Sequence, residues 1–209
     1  MSLSFGLSGQ MFIGNEDKSS ARANGIRPSL YAEWGYNLAT SIGFSVRMDL
    51  LMVESQSRYG NNPFIDHSDQ TITNGYWPYT SYNMFGANLG FNLNLDWTNI
   101  IKGYNFTQAR THVTSSLGGG LMFLTGKKKN PATDYTPTNF ELSFSASIGL
   151  DYCINDDWLL QFGPRVYMMR GSIDYSPYSD SQSSRFDFIP MISIGLKRIV
   201  NKRIPWIMR

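Results

Sequence analysis

Residues 83–97, NMFGANLGFNLNLDW, alternate strictly between two kinds of side chain. Phe85, Ala87, Leu89, Phe91, Leu93, Leu95 and Trp97 fall on one parity; Gly86, Asn88, Gly90, Asn92, Asn94 and Asp96 fall on the other. A period of two predicts a β-strand with one face in apolar surroundings and one in polar surroundings. The run is long beside a usual strand of roughly 5–6 residues. Its bulky groups are apolar and its opposite face is small and polar. The apolar side therefore reads as the outside of the sheet, and the polar side as the hidden one.

The same inverted alternation recurs along the chain. It predicts strands over 2–13, 26–36, 42–52, 83–97, 110–124, 140–154, from 158 to about 172, and from 186 onward, with Phe186, Phe188, Ile192, Ile194 and Leu196 against Asp187, Ser193, Gly195 and Lys197. Polar connections without alternation separate them. Those at 14–25, 55–81, 125–139 and 173–184 are the longer set at one end; at the other, those near 36–39 and at 155–157 are short and that at 98–109 is of medium length. Gly118, Gly119 and Gly120 would let the fifth strand bend sharply. Pro28, Pro164 and Pro190 cannot donate to a ladder, so each is expected at a bulge. An even strand count with loops longer at one end predicts an all-β fold: an eight-stranded antiparallel up-and-down transmembrane β-barrel, with short periplasmic turns and longer extracellular loops. A single domain is expected over 1–209, with the barrel at about 2–199 and a basic tail at 200–209.

Charge sharpens this picture. The strand charges on the inward parity are Arg27, Glu33, Arg47, Asp49, Asp96, Arg110, Glu141, Asp151, Arg165, Asp187 and Lys197, five positive and six negative. The outward parity is almost free of charge, with Arg170 the main exception near an upper rim. A charge on a lipid face costs roughly 2–4 kcal/mol at the bilayer midplane. Near-neutrality inside predicts a luminal salt-bridge network, to which His112 is added. Eight strands leave a lumen just wide enough for side chains, so a plugged barrel is expected. Trp34, Tyr36, Trp97, Tyr152 and Trp158 lie near the short-turn ends and form a candidate interfacial girdle.

Composition adds exclusions. The chain has 209 residues, 16% charged and 14% aromatic, and a net charge of +2, too small to argue for nucleic acid. Its mean hydropathy of −0.27 would suit a soluble protein. Alternating strands, however, average to neutral hydropathy. Cys153 is the one cysteine, which excludes an internal disulfide and a cysteine metal cluster. No metal and no cofactor is expected. Met1 leads directly into LSFGLSGQMFIG, so the signal peptide of an outer-membrane precursor is taken to be absent from this chain.

The eight-strand pattern over about 1–200 resembles the OmpA-like outer-membrane β-barrel family of the Bacteroides type. The run Leu93-Asn94-Leu95-Asp96-Trp97-Thr98-Asn99-Ile100-Ile101-Lys102-Gly103-Tyr104-Asn105, followed by Arg110, looks like that family's strand-four ending, its LSNLFGGYN connection and a following basic residue. The resemblance implies a porin-like β-barrel in a bacterial outer membrane, in contact with lipid and lipopolysaccharide. Many relatives carry a peptidoglycan-binding domain after the barrel, and here the sequence ends IPWIMR instead, without the terminal aromatic of strand eight. Peptidoglycan anchoring is therefore not supported.

Candidate chemistry is sparse. Asp66-His67-Ser68-Asp69 is the one run resembling a catalytic set, but a nucleophile, base and orienter must converge through space rather than adjoin in sequence. Lys127-Lys128-Lys129 could meet lipopolysaccharide phosphates, though a solvated charge run accounts for it more simply. Tyr76, Trp77, Tyr79 and Tyr82 form an aromatic cluster in the longest loop, a candidate partner contact or a packing of loop on rim. The leading expectation is a non-enzymatic outer-membrane barrel with a structural or accessory role, such as a subunit of a larger outer-membrane complex. The alternatives are a narrow porin-like channel and a lipid A-modifying acyltransferase or hydrolase.

Overall fold

The computed structural model describes residues 1–11, 26–58, 79–102, 110–128, 138–170 and 186–200. Eight strands account for most of them: β1 (Ser2–Gln10), β2 (Arg27–Asn37), β3 (Ile42–Arg58), β4 (Tyr79–Asp96), β5 (Thr111–Lys128), β6 (Thr138–Cys153), β7 (Trp158–Arg170) and β8 (Phe186–Ile199). Every strand pairs antiparallel with its neighbours in sequence, and β1 pairs with β8, so the sheet closes on itself. Closure leaves no unpaired edge to aggregate.

The alternation read from the sequence is an alternation of exposure. On β4, Phe85, Leu89, Phe91 and Leu93 are exposed while Asn88 and Asn92 are buried. Among the described strand side chains, the outward parity carries one charge, Arg198, at the turn end of β8. Its guanidinium lies 5.7 Å over the Trp158 ring. The Arg170 side chain lies outside the described residues.

Several boundaries differ from expectation. β3 and β4 stay paired up to Arg58↔Tyr79, so the longest loop is shorter than 55–81. Residues 54–58, ESQSR, are polar on both parities, and the period vanishes there although the backbone ladder continues. Tyr79 and Tyr82 are therefore β4 residues, and Lys127 and Lys128 belong to β5. At the other end, Trp97 does not finish a strand. It begins a six-residue helix, α1 (Trp97–Lys102), within the connection expected to be irregular. The Asp96 carboxylate caps it, Oδ1 accepting the Asn99 N–H at 3.0 Å.

None of Pro28, Pro164 and Pro190 marks a bulge. All eight ladders keep one register throughout. Pro28 lies one residue beyond the last β2–β3 pair, Ser29↔Leu51. Pro190 lies one residue beyond the last β8–β1 pair, Met191↔Gln10. Pro164 falls in an interruption of the β6–β7 ladder, between Ser147↔Arg165 and Leu150↔Phe162. Each sits where the neighbouring ladder has stopped or paused, which spares a donor that proline lacks. The β5 glycines also leave the register unbroken. A Cβ on Gly118 would collide with the Asn92 side chain, so this glycine makes room for a luminal amide.

The lumen is divided along its length. Toward the long-loop end, Leu51, Val53, Met84, Met122, Leu124, Tyr167, Met169, Ile189 and Met191 form one buried apolar cluster. Several of these residues occupy inward positions in runs that are apolar on both faces, such as Leu50-Leu51-Met52-Val53 and Leu121-Met122-Phe123-Leu124. The sequence predicts a polar luminal face throughout; the observed lumen is polar toward the short-turn end and holds an apolar cluster, with Asp187 buried beside it, toward the other.

Where β1 meets β8, Gly6 faces Gly195. The Tyr31 ring, from β2, lies back over both: a Cβ on Gly6 would come within 2.7 Å of its Cε1, and one on Gly195 would strike its hydroxyl. Two glycines in register thus give a large aromatic its bed.

Candidate functional site

Below the apolar cluster lies a cavity of about 800 Å³ that reaches the short-turn end. Its mouth is formed by Tyr36, Asn37, Thr40, Ser41 and Ile199, and its depth by Tyr31, Glu33, Arg47, Ser116 and Arg165. The size falls in the range of small-molecule sites, roughly 300–1,000 Å³. The apolar cluster lies between it and the long-loop end of the strands.

The ceiling is built on β3. Arg47 folds along its own strand onto Asp49, two residues on, with Nη2 to Oδ1 at 2.8 Å and Nε to Oδ1 and Oδ2 at 3.0 and 3.1 Å. A period of two puts both side chains in the lumen, and the guanidinium fork matches the carboxylate. Nη1 reaches Glu33 Oε2 on β2 at 3.4 Å, and the planar guanidinium stacks 3.8 Å from the Tyr31 ring centroid. From the opposite wall, the Tyr167 hydroxyl donates to Asp49 Oδ2 at 2.5 Å. Asp49 is wholly buried. A buried carboxylate is tolerable only with its acceptor capacity filled, and here Arg47 and Tyr167 fill it from two sides.

Nearer the mouth stand two further pairs. Lys197 Nζ is 3.1 Å from Asp151 Oδ2, and Gln161 Nε2 donates to Asp151 Oδ1 at 3.1 Å. His112 Nδ1 is 2.9 Å from Asp96 Oδ2. The carboxylate accepts only, so Nδ1 carries the proton of that bond. Asp96 Oδ2 also accepts Asn99 Nδ2 at 2.8 Å, and the same amide donates to the Thr40 carbonyl at 2.9 Å. Asp96 and Asn99 thereby join α1 and the β2–β3 turn to the lumen wall.

Arg165 is held differently. Nη1 donates to Asn92 Oδ1 at 3.3 Å and Ser145 Oγ at 3.4 Å, and Nη2 to Ser116 Oγ at 3.1 Å. Ser116 in turn meets Ser147, with the two Oγ atoms 2.6 Å apart.

The candidate residues read from the sequence separate into groups. Glu33, Arg47, Asp96, His112, Asp151, Arg165 and Lys197 line the chamber, and Asp49 lies just above it. Asp187 is fully buried and Arg27 and Glu141 are half-buried toward the long-loop end. Arg110 is a correction. It precedes β5, is exposed at the turn end, and its carbonyl accepts the Cys153 N–H at 2.8 Å. The inward parity does not extend to it, because the strand begins one residue later. Of the aromatics, Trp34, Tyr36, Trp97 and Tyr152 are exposed near the turn end. Trp158 is half-buried, with Phe5 edge-on at 6.3 Å. Trp97 Nε1 donates to Ser115 Oγ at 2.9 Å. Asp66, His67, Ser68, Asp69, Tyr76, Trp77 and Lys129 lie outside the described residues, and so do the side chains of Tyr79, Tyr82, Lys127 and Lys128.

An inventory of charges alone misses the neutral members of the site: Tyr31, Asn92, Ser116, Gln161 and Tyr167. All stand on the inward parity, and that parity is the clue the sequence offers. Among the described residues, no group of three or more His, Cys, Asp or Glu side chains is placed to hold a metal, and no helix is long and apolar enough to cross a membrane.

No protein-family model matches the sequence, and no curated protein matches it. Solved structures do match. A major outer membrane protein from Thermus thermophilus superposes with a TM-score of 0.54 at 11% identity, over 95% of this chain and 99% of that one. Neisserial surface protein A superposes with a TM-score of 0.50 at 12% identity, over 94% of this chain and 95% of that one. At such identity the likeness concerns the fold alone: the chain folds as the eight-stranded outer-membrane β-barrels do.

Proposed function

We propose that this chain is a non-enzymatic bacterial outer-membrane protein with a structural or accessory role, serving as a subunit beside larger membrane proteins. The observation that carries the reading is the continuous exposed band of Leu, Phe, Ile and Met around a closed barrel, with its charges turned inward. In water such a band would drive association; in a bilayer it is the face that the hydrocarbon requires. Lipid and lipopolysaccharide are then the immediate neighbours, and the exposed aromatics at the turn end sit at the periplasmic interface. The apolar cluster of Leu51, Met122, Met169 and Met191 in the lumen favours this role over a narrow channel, because apolar packing disfavours the passage of ions. The finer assignment, to OmpA-like barrels of the Bacteroides type, rests on the resemblance of residues 93–105.

The test is extraction and mobility of the native protein. Release from membranes only by detergent, with a gel mobility that changes on heating, supports the reading. Solubility without detergent would overturn it. Single-channel recording of the refolded barrel should give no conductance above background. Affinity purification from solubilised outer membranes should bring down a stoichiometric membrane partner, and recovery of the barrel alone would remove the subunit role.

A further inference from the structure

We propose that the β6–β7 seam at Ile148 and Pro164 is a lateral gate of the chamber, the place where the barrel wall opens locally toward the bilayer. The bilayer side rests on the lipid-facing reading above, while the seam itself stands on the ladder alone.

Ile154 N donates to the Trp158 carbonyl at 2.9 Å. Bonded pairs recur every two residues in an antiparallel ladder, and the β6–β7 register carries this one to Ile148 and Pro164. The ladder nevertheless lacks the pairs 148/164 and 149/163, between Ser147↔Arg165 and Leu150↔Phe162. Pro164 has no N–H, so the Ile148 carbonyl facing it receives no donor from β7. The β7–β8 ladder runs unbroken through Pro164↔Ile192, which puts the missing bond on the β6 side. Among the described residues this is the one interruption inside a ladder.

The other two strand prolines are accommodated. Leu38 N donates to the Ile42 carbonyl at 3.0 Å, and the same count by twos sets Pro28 against the Met52 carbonyl. There Gln10 Nε2 reaches across from β1 and supplies the donor at 2.7 Å. Pro190 faces Met11, beyond the last β8–β1 pair, where the ladder is ending. Among the described residues no side chain donates to the Ile148 carbonyl.

The seam is also bare. Gly149 and Gly163 stand opposite one another on the luminal parity, so neither lays a side chain over it, and a Cβ on Gly163 would strike the Ile148 carbonyl. The two backbones are closed by contact at a point where a bond is missing. Ile148, Gly149, Phe162, Gly163 and Pro164 all line the chamber, although Ile148, Phe162 and Pro164 are exposed on the outer face. The wall there is one backbone thick. Just outside, Phe162 also borders an apolar groove of about 470 Å³ that Gly9 shares with Leu7, Pro28 and Ile192. In hydrocarbon an unserved carbonyl is costly, whereas a polar chamber behind it can offer water. Local opening begins where the fewest bonds must break, and here it hands the carbonyl to the chamber.

Hydrogen exchange in the full-length barrel, refolded in detergent micelles, tests this amide by amide. The Ile148 and Phe162 amides point across the seam, that of Gly149 toward β5 and that of Gly163 toward β8. Protection at Ile148 and Phe162 should be lower than at Gly149 and Gly163 by roughly fivefold or more, the scale of one lost hydrogen bond. Pro164→Val restores the donor and should bring the two sets level. Pro28→Val, at the position Gln10 already serves, should leave the seam unchanged. Equal protection of the two sets in the wild type overturns the proposal. So does a folded Pro164→Val barrel with no gain at Ile148 and Phe162, or a seam tightened as much by Pro28→Val. Should Pro164→Val fail to fold, the wild-type comparison decides. Detergent-free solubility would overturn the lipid-facing reading, and with it the bilayer side of the gate, without altering this readout, so the two can fail separately.

Discussion

Tyr167 and Asp49 meet across the lumen, the phenol donating to the carboxylate at 2.5 Å although 118 residues separate them in sequence. The bond ties β7 to β3 and holds the carboxylate that orients Arg47. A hydrogen bond to a charged group contributes about 1.5–3 kcal/mol. Tyr167→Phe, which keeps the ring and removes the donor, should destabilise the barrel by about that amount. Asp49→Ala leaves Arg47 with Glu33 alone and should cost more, about 3–5 kcal/mol. Denaturant unfolding of the refolded barrel in micelles measures both. If Asp49→Ala is no worse than Tyr167→Phe, the ion pair is not what the carboxylate supports.

Leu51 is wholly buried at the base of the apolar cluster. Its truncation to alanine opens a void that surrounding methionines fill only in part, and should cost about 2–5 kcal/mol. Met52→Ala, next along β3 but on the exposed face, should be milder in a bilayer. A comparison of their unfolding midpoints in lipid vesicles checks this. Equal losses would show that the cluster does not pack as a core.

Leu89, midway along β4, is exposed, as is Phe91 two residues on. An arginine at Leu89 should cost roughly 2–4 kcal/mol if the position is at bilayer mid-depth, and an arginine in place of Tyr152, near the turn end, roughly 0–1 kcal/mol. Folding equilibria of the two variants in phospholipid vesicles measure the difference. A flat profile, or one that inverts, would mean that this face does not meet hydrocarbon.

Asp96 has three tasks: it caps α1, receives Asn99 and holds His112. Asp96→Asn keeps an N-capping oxygen but loses charge, whereas Asp96→Ala loses the cap as well. Removal of an N-cap costs about 0.5–2 kcal/mol. Asp96→Ala should therefore unfold first, with Asp96→Asn intermediate. Proteolysis within the β4–β5 connection should follow the same order. Identical resistance in all three proteins would show that α1 does not depend on this carboxylate.

How far the sequence reaches can be judged at particular residues. Phe91 and Asn92 are legible because lipid and lumen ask opposite things of neighbouring positions, and period two records that directly. The strand ends at 54–58 are not legible, because polar residues on both parities fit a paired strand above the apolar band as well as a loop. Leu51 and Met122 are hidden by their neighbours: beside exposed Met52 and Leu121 they read as more of the same apolar run. Parity places Asp49 and Tyr167 on the inner face without bringing them together, since contacts across a lumen depend on register around the whole ring. α1 is too short to show a helical period, and only Asp96 before Trp97-Thr98-Asn99 marks its start.

The glycine pair at the β1–β8 seam has a consequence for assembly. A barrel built from sequential hairpins can gain every other ladder locally, but β1 and β8 must find each other from opposite ends of the chain, across the largest loop closure in the molecule. At that seam Gly6 and Gly195 project nothing into the lumen, while Tyr31 is delivered by the β1–β2 hairpin and already carries the side chain that will cover both. At this pair of positions the last ladder can therefore close without displacing the Tyr31 ring. At Gly6 and Gly195 the bulk that covers the joint comes from Tyr31, on one side of the gap, and the backbone opposite it arrives bare.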